Sequence, residues 1–217
     1  MEAKIPYWLR SQGPFPPQTP PFSRLIPLVG GMDAKGFQVR VVMEGNTPLA
    51  VSAREVPPST CDTFPVGIVG SASIRRRDEG GWVLGGLGTR VKCDAQFAKN
   101  LATYGNEGEK QMLAQLGHKM LCFSISILKQ QYREDGKTTI SLWPSGTIYA
   151  SGGEKEDQPR LVQYYRSLGF QVTSVDENDK NYVWEMTAPI DQIEINCKRA
   201  ASLSNPKIIK SFQPKNY

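Results

Sequence analysis

The chain has 217 residues, 39% hydrophobic and 22% charged, which fits one compact domain with tails and excludes a disordered chain. Its net charge is +5, and the whole excess lies in 195–217, where Lys198, Arg199, Lys207, Lys210 and Lys215 meet no Asp or Glu. The strongest apolar run, 120–128, falls well short of the ~20 residues of a bilayer-spanning helix and is flanked by Lys119 and Lys129.

Residues 1–31 hold seven of the sixteen prolines: Pro6, Pro14, Pro16, Pro17, Pro20, Pro21 and Pro27. Proline fixes φ and lacks an amide donor, so this stretch reads as an extended, polyproline-like arm rather than a helix or interior strand. Trp8, Phe15 and Phe22 punctuate it. Large apolar side chains are unfavourable in water, so the arm is expected to dock, and these three are the candidate partner-binding residues. Residues 1–35 are accordingly assigned to the arm. The first 30 residues contain no continuous apolar stretch of the signal-peptide kind. That implies a soluble intracellular chain, in the cytoplasm or an organelle matrix or stroma, and not a secreted one.

A domain is expected over 36–194. It opens with strands at 36–43, 49–56, 66–75 and 82–91, separated by the turn chemistry of Glu44-Gly45-Asn46, Pro57-Pro58 and Asp78-Glu79-Gly80-Gly81. Gly85, Gly86 and Gly88 mark a weakened or bulged last strand. Leu113, Leu116, Met120, Leu121, Ser124, Ile127 and Leu128 recur at spacings of three and four, one stripe of a long helix over 107–133. A strand at 138–143 follows. Asp157 or Gln158 then opens a helix with Pro159 in its first turn. That helix ends at Gly169, and strands at 170–175 and 182–186 flank a polar turn. The rest, 195–217, is a basic tail that can meet an acidic surface or nucleic acid.

Cys61, Cys93, Cys122 and Cys197 form no CxxC pair, and His118 is the single histidine. No clustered metal-ligand spacing is present, so no metal is expected and the thiols read as reduced, buried small hydrophobes. Asp78, Glu79 and Glu44 sit at turns and read as solvated. Arg75-Arg76-Arg77 can contact phosphates or guard a strand edge.

The segment Tyr164-Tyr165-Arg166-Ser167-Leu168-Gly169-Phe170, in the order long helix, strand, short helix, strand, turn, strand, resembles the GNAT N-acetyltransferase superfamily. The resemblance spans roughly 37–188, with its specific pattern in 138–186. It implies an α/β (α+β) fold, a mixed and mainly antiparallel sheet with helices on its faces. It also implies that Tyr165 acts as general acid toward a departing CoA thiolate. The pyrophosphate loop of that family corresponds here to the stretch carrying Gly105, Gly108 and Lys110, the candidate cofactor-binding residues. The glycine spacing departs from the family's pattern, and Glu107 and Glu109 add negative charge. Two functions follow. One is a non-enzymatic GNAT-like accessory or assembly subunit docking through its arm to other protein subunits, with no cofactor expected. The alternative is an active N-acetyltransferase using acetyl-CoA.

Overall fold

The computed structural model describes residues 23–54, 67–144 and 154–203, and the side chains of all of these but 154–157 and 200–203. Strands β1 (Arg24–Asp33), β2 (Gly36–Glu44), β3 (Ile68–Arg76) and β4 (Trp82–Thr89) form an antiparallel meander. Strand β5 (Thr139–Leu142) runs parallel to β4, and β7 (Val183–Pro189) and β6 (Gln171–Val175) add antiparallel beyond it. The sheet has seven strands in the order β1-β2-β3-β4-β5-β7-β6, mixed and mostly antiparallel, the class expected from the order of elements in the sequence.

One face of the meander is dry. Phe37, Val39, Val41 and Met43 of β2 are buried while Gln38 and Arg40 face solvent, the period-two pattern of a half-covered sheet. Helix α5 (Leu116–Gln130) covers that face, packing on β3 and β4. Its approach is close: a Cβ on Gly70 of β3 would stand 2.7 Å from the Met120 sulfur. Ile140, Ser141 and Leu142 of β5 are all buried, as expected for a central strand covered on both sides.

Several elements differ from the sequence reading, each for a local reason. The predicted strand at 49–56 begins instead as a short helix, α1 (Pro48–Ser52). The Thr47 hydroxyl accepts from the Ala50 amide, and Pro48 stands in the first turn, where its missing N–H costs nothing. The stretch after β4 carries helix α2 (Arg90–Cys93) and helix α3 (Ala95–Tyr104), the latter capped by the Asp94 carboxylate on the Phe97 amide. The single long helix is two, α4 (Glu107–Ala114) and α5, because Gln115 leaves helical geometry at φ −106°, ψ 7°. Helix α6 (Glu154–Ser167) starts earlier than predicted, so Pro159 lies within it rather than in its first turn.

Both tails are shorter than the sequence assigns them. Residues 24–33 of the arm are the edge strand β1, with Pro27 opposite Val41, an edge being where a strand tolerates a missing donor. Residues 195–203 belong to helix α7 (Ile190–Leu203), whose Ile190 and Ile193 are fully buried.

The described cysteines are not reduced thiols. Cys122 of α5 and Cys197 of α7 form a disulfide across 75 residues of chain, with Cα atoms 5.8 Å apart. Cys93 is disulfide-bonded as well. A pairing this distant in sequence has no spacing signature, whereas burial as a lone thiol is the default for a cysteine without a CxxC neighbour. Among the described residues, no helix is long and apolar enough to cross a membrane.

Candidate functional site

The sheet opens where β4 leaves β5. The two strands pair only from Trp82↔Ile140 to Leu84↔Leu142. Gly85 is then an inserted residue in the β3–β4 ladder, between Ile74↔Leu84 and Ser73↔Gly86. A bulge of this kind re-aims a strand. Beyond it, Gly85 and Gly86 are exposed although they belong to an interior strand. The crevice outside the carboxyl ends of adjacent parallel strands is the usual ligand position in open α/β sheets. Glycine allows close approach to such a backbone.

Trp143 directly follows β5 at this opening and is 48% exposed. Its ring lies 5.3 Å from that of Trp184 on β7, which is 43% exposed. Tyr182 meets Trp184 edge-on at 5.1 Å, and the Trp184 indole donates to Asp176 Oδ2 at 3.1 Å. This aromatic group was not singled out in the sequence. The signal was a tryptophan beside Pro144 at a strand end, and another in a strand whose buried positions are filled by Val183, Met186 and Ala188.

Tyr165 sits on α6 among the core residues. It contacts Phe170 edge-on at 5.6 Å and Tyr164 at 5.1 Å. Burial pushes its hydroxyl up to about 12, so it keeps its proton at neutral pH. Gly169 ends the helix at φ 100° and its amide donates to the Arg166 carbonyl. Phe170 then turns inward, as the Gly-Phe junction implies. Gln158 ties this helix to the sheet: it accepts from the Val183 amide at 2.9 Å and donates to the Val183 carbonyl at 3.0 Å.

Gly105, Gly108 and Lys110 lie at the α3–α4 junction, which is separated in sequence from β4 by α2 and α3. Gly105 is the C-cap of α3, and a Cβ there would meet the Leu101 carbonyl at 2.5 Å. Gly108 stands in the first turn of α4, and Lys110 pairs with Glu107 at 3.2 Å. The helix start is closed by its own side chains. Asn106 Oδ1 accepts from the Glu109 amide, and Glu109 Oε2 accepts from the Asn106 amide, a reciprocal capping box. The buried Glu109 also accepts from Ser23 and Thr47, both at 2.6 Å. Glu109 is therefore a knot joining β1, α1 and α4, not a group facing a ligand.

Trp8, Phe15 and Phe22 lie outside the described residues. Arg76 stacks over Trp82 at 5.5 Å and pairs with Glu134, and Arg77 pairs with Glu185, so two cations of the triplet are engaged within the fold. A cleft of about 500 Å³ opens at the sheet edge between Arg24, Glu44 and Arg54. Its arginines already serve Glu44 and the Gly45 carbonyl. Immediately after β4, Arg90 turns inward: it is 2% exposed, donates to Asp94 at 2.9 Å and to the Ala53 carbonyl at 2.7 Å, and stacks on Phe97. Comparison of the chain with family models, with curated proteins and with solved structures found no match.

Proposed function

We propose that this chain is a non-enzymatic GNAT-like accessory subunit of a larger protein complex, docking through its proline-rich arm. The observation that carries the reading is the segment after β4. An acetyl-CoA enzyme of this class needs free backbone amides at a helix start to grip a pyrophosphate. Here the chain runs into the four-residue α2, whose first residue, Arg90, is buried on Asp94 and Ala53. The next helix starts carry side-chain caps: Asp94 accepts from the Phe97 amide at α3, and the Asn106–Glu109 capping box closes α4. A four-residue helix builds little dipole to hold a phosphate, and at α4 the box already takes the Glu109 amide. The exposed pair Trp143 and Trp184 adds a surface of the aromatic kind enriched at protein interfaces. The disulfide Cys122–Cys197 favours an oxidising compartment over the cytoplasm, matrix or stroma that the sequence implies.

One observation favours the second reading, an acetyl-CoA-dependent N-acetyltransferase. The exposed glycine backbone of β4 could pair with an extended cofactor arm, and the protonated Tyr165 hydroxyl has the state required of a general acid. Calorimetric titration with acetyl-CoA separates the two. The accessory reading predicts no saturable heat. Micromolar binding, about −8 kcal/mol, would replace it with the enzyme reading. Tyr165→Phe should then slow transfer while leaving cofactor binding intact.

A further inference from the structure

The only histidine of the chain stands beside the α5–α7 disulfide. His118 and Cys122 are one helical turn apart on α5, and α7 brings Cys197 against them. His118 Nε2 lies 3.6 Å from Cys122 Sγ. One donor atom from each of His118, Cys122 and Cys197 falls within 4.8 Å of the other two. An i, i+4 pair on one helix face plus a third group from a facing helix is a compact way to surround a small ion.

We propose that reduction of the Cys122–Cys197 disulfide creates a site for one zinc-class ion, held by His118, Cys122 and Cys197. The joint between α5 and α7 then has two alternative cross-links, a covalent bond when oxidised and a metal bridge when reduced. The step balances with a dithiol as reductant. It delivers two electrons, the S–S bond breaks, two thiols form, and the dithiol closes into its own disulfide. Metal binding then displaces one proton from each thiol to solvent, while the imidazole donates a lone pair from an unprotonated nitrogen. Two thiolates and one imidazole select zinc, cadmium or cobalt over magnesium or calcium. A tetrahedral zinc with Zn–S bonds of about 2.3 Å holds its sulfurs about 3.8 Å apart. With Cα atoms 5.8 Å apart, side-chain rotation alone reaches that separation. The helices remain adjacent once the bond is open, because Ile190 and Ile193 are buried in the core and Lys129 of α5 pairs with Asp191 and Glu194 of α7. Water completes the fourth position, as in three-ligand zinc sites.

The test uses the full chain, reduced without oxygen, freed of reductant and titrated with Co²⁺. The expected result is a thiolate-to-cobalt charge-transfer band that saturates at one ion per chain and is bleached by Zn²⁺. The oxidised chain gives no such band. Cys122→Ser abolishes it, while Cys93→Ser, which removes the other described disulfide cysteine, retains it. His118→Gln leaves the disulfide intact, so its oxidised form folds as the parent does, and its reduced form binds at least about 10-fold more weakly. The proposal is overturned by a reduced chain without the band, by a band lost in Cys93→Ser, or by a reduced His118→Gln chain of unchanged affinity.

Discussion

Gly36 shows how one residue constrains the fold. It begins β2 at φ 151°, and a Cβ there would stand 2.1 Å from the Ile74 carbonyl oxygen, a backbone atom that cannot rotate away. Its carbonyl also accepts from the Tyr132 hydroxyl at 2.7 Å. Gly36→Ala should therefore destabilise by at least about 2 kcal/mol, a fall in Tm of roughly 4–8 °C for a chain of this size. Gly80, at φ 96° with nothing within 4 Å of its notional Cβ, is the control: alanine there adds backbone strain without a clash and should cost less. Glu194 supplies a pH signature. Burial alone would raise its carboxyl, but hydrogen bonds from Lys129 and Lys198 prevail and hold it below the usual range. A depressed carboxylate contributes stability above its unfolded pKa of about 4.3 and loses it as pH falls through the native value. Tm should fall more between pH 6 and pH 3 in the parent chain than in Glu194→Gln. The pair is a third exposed, so the difference should be no more than about 1 kcal/mol. Residues of this kind were unevenly legible. Gly169 and Phe170 were readable because a helix stop and an inward strand start are local events. His118, Cys122 and Cys197 were not, because only the docking of α7 on α5 brings them together.

At the level of elements, the knot at Glu109 decides where the chain's local pieces meet. One carboxylate accepts from Ser23 before β1, from Thr47 before α1, and from the Asn106 amide before α4. Glu109→Ala would leave two donors unmet, the Asn106 amide and one of the two hydroxyls, since Ser23 and Thr47 lie 2.9 Å apart and one can donate to the other. At about 1–3 kcal/mol for each unsatisfied group, the loss should be about 2 kcal/mol or more by denaturant melt, with the m-value unchanged. In the sequence Glu109 reads as a first-turn acid, since its distant partners carry no periodicity. The strands at 36–44, 68–76, 82–89, 139–142, 171–175 and 183–189 were visible through alternation and turn residues. Helix α3 was missed although Asp94, Phe97 and Leu101 carry a cap and a four-residue spacing. Helix α7 was missed because its charge was read ahead of the spacing of Ile190, Ile193 and Cys197. Helix α1 was missed because valine and alanine between prolines look like a strand until the Thr47 cap is counted.

For the molecule as a whole, the order of elements gave the fold class, whereas the opening of the sheet needed coordinates. Gly85, Gly86 and Gly88 signal a bulge in sequence, but not that β5 stops at Leu142 and leaves β4 uncovered beyond Leu84. The arm is the remaining whole-molecule question. Ser23 already belongs to the domain through Thr47 and Glu109, so deleting residues 1–22 should leave Tm nearly unchanged. Under the proposed accessory-subunit reading, the same deletion should abolish assembly with partner subunits, read as a drop in mass by native mass spectrometry. A clearly lowered Tm would instead mean that the arm is packed on its own domain.

The three-residue pairing of β4 with β5 makes the sheet two units joined by a narrow seam. Helix α5 lies on β3 and β4, while α7 lies on β7 and on α5. The ties from Cys122 to Cys197 and from Lys129 to Asp191 and Glu194 therefore bridge the seam from above. Native-state hydrogen exchange should register this as cooperativity that depends on redox state. With the bond closed, amides of β2 and β7 should share one opening free energy; with it open, the β7 amides should exchange first, as a separate foldon.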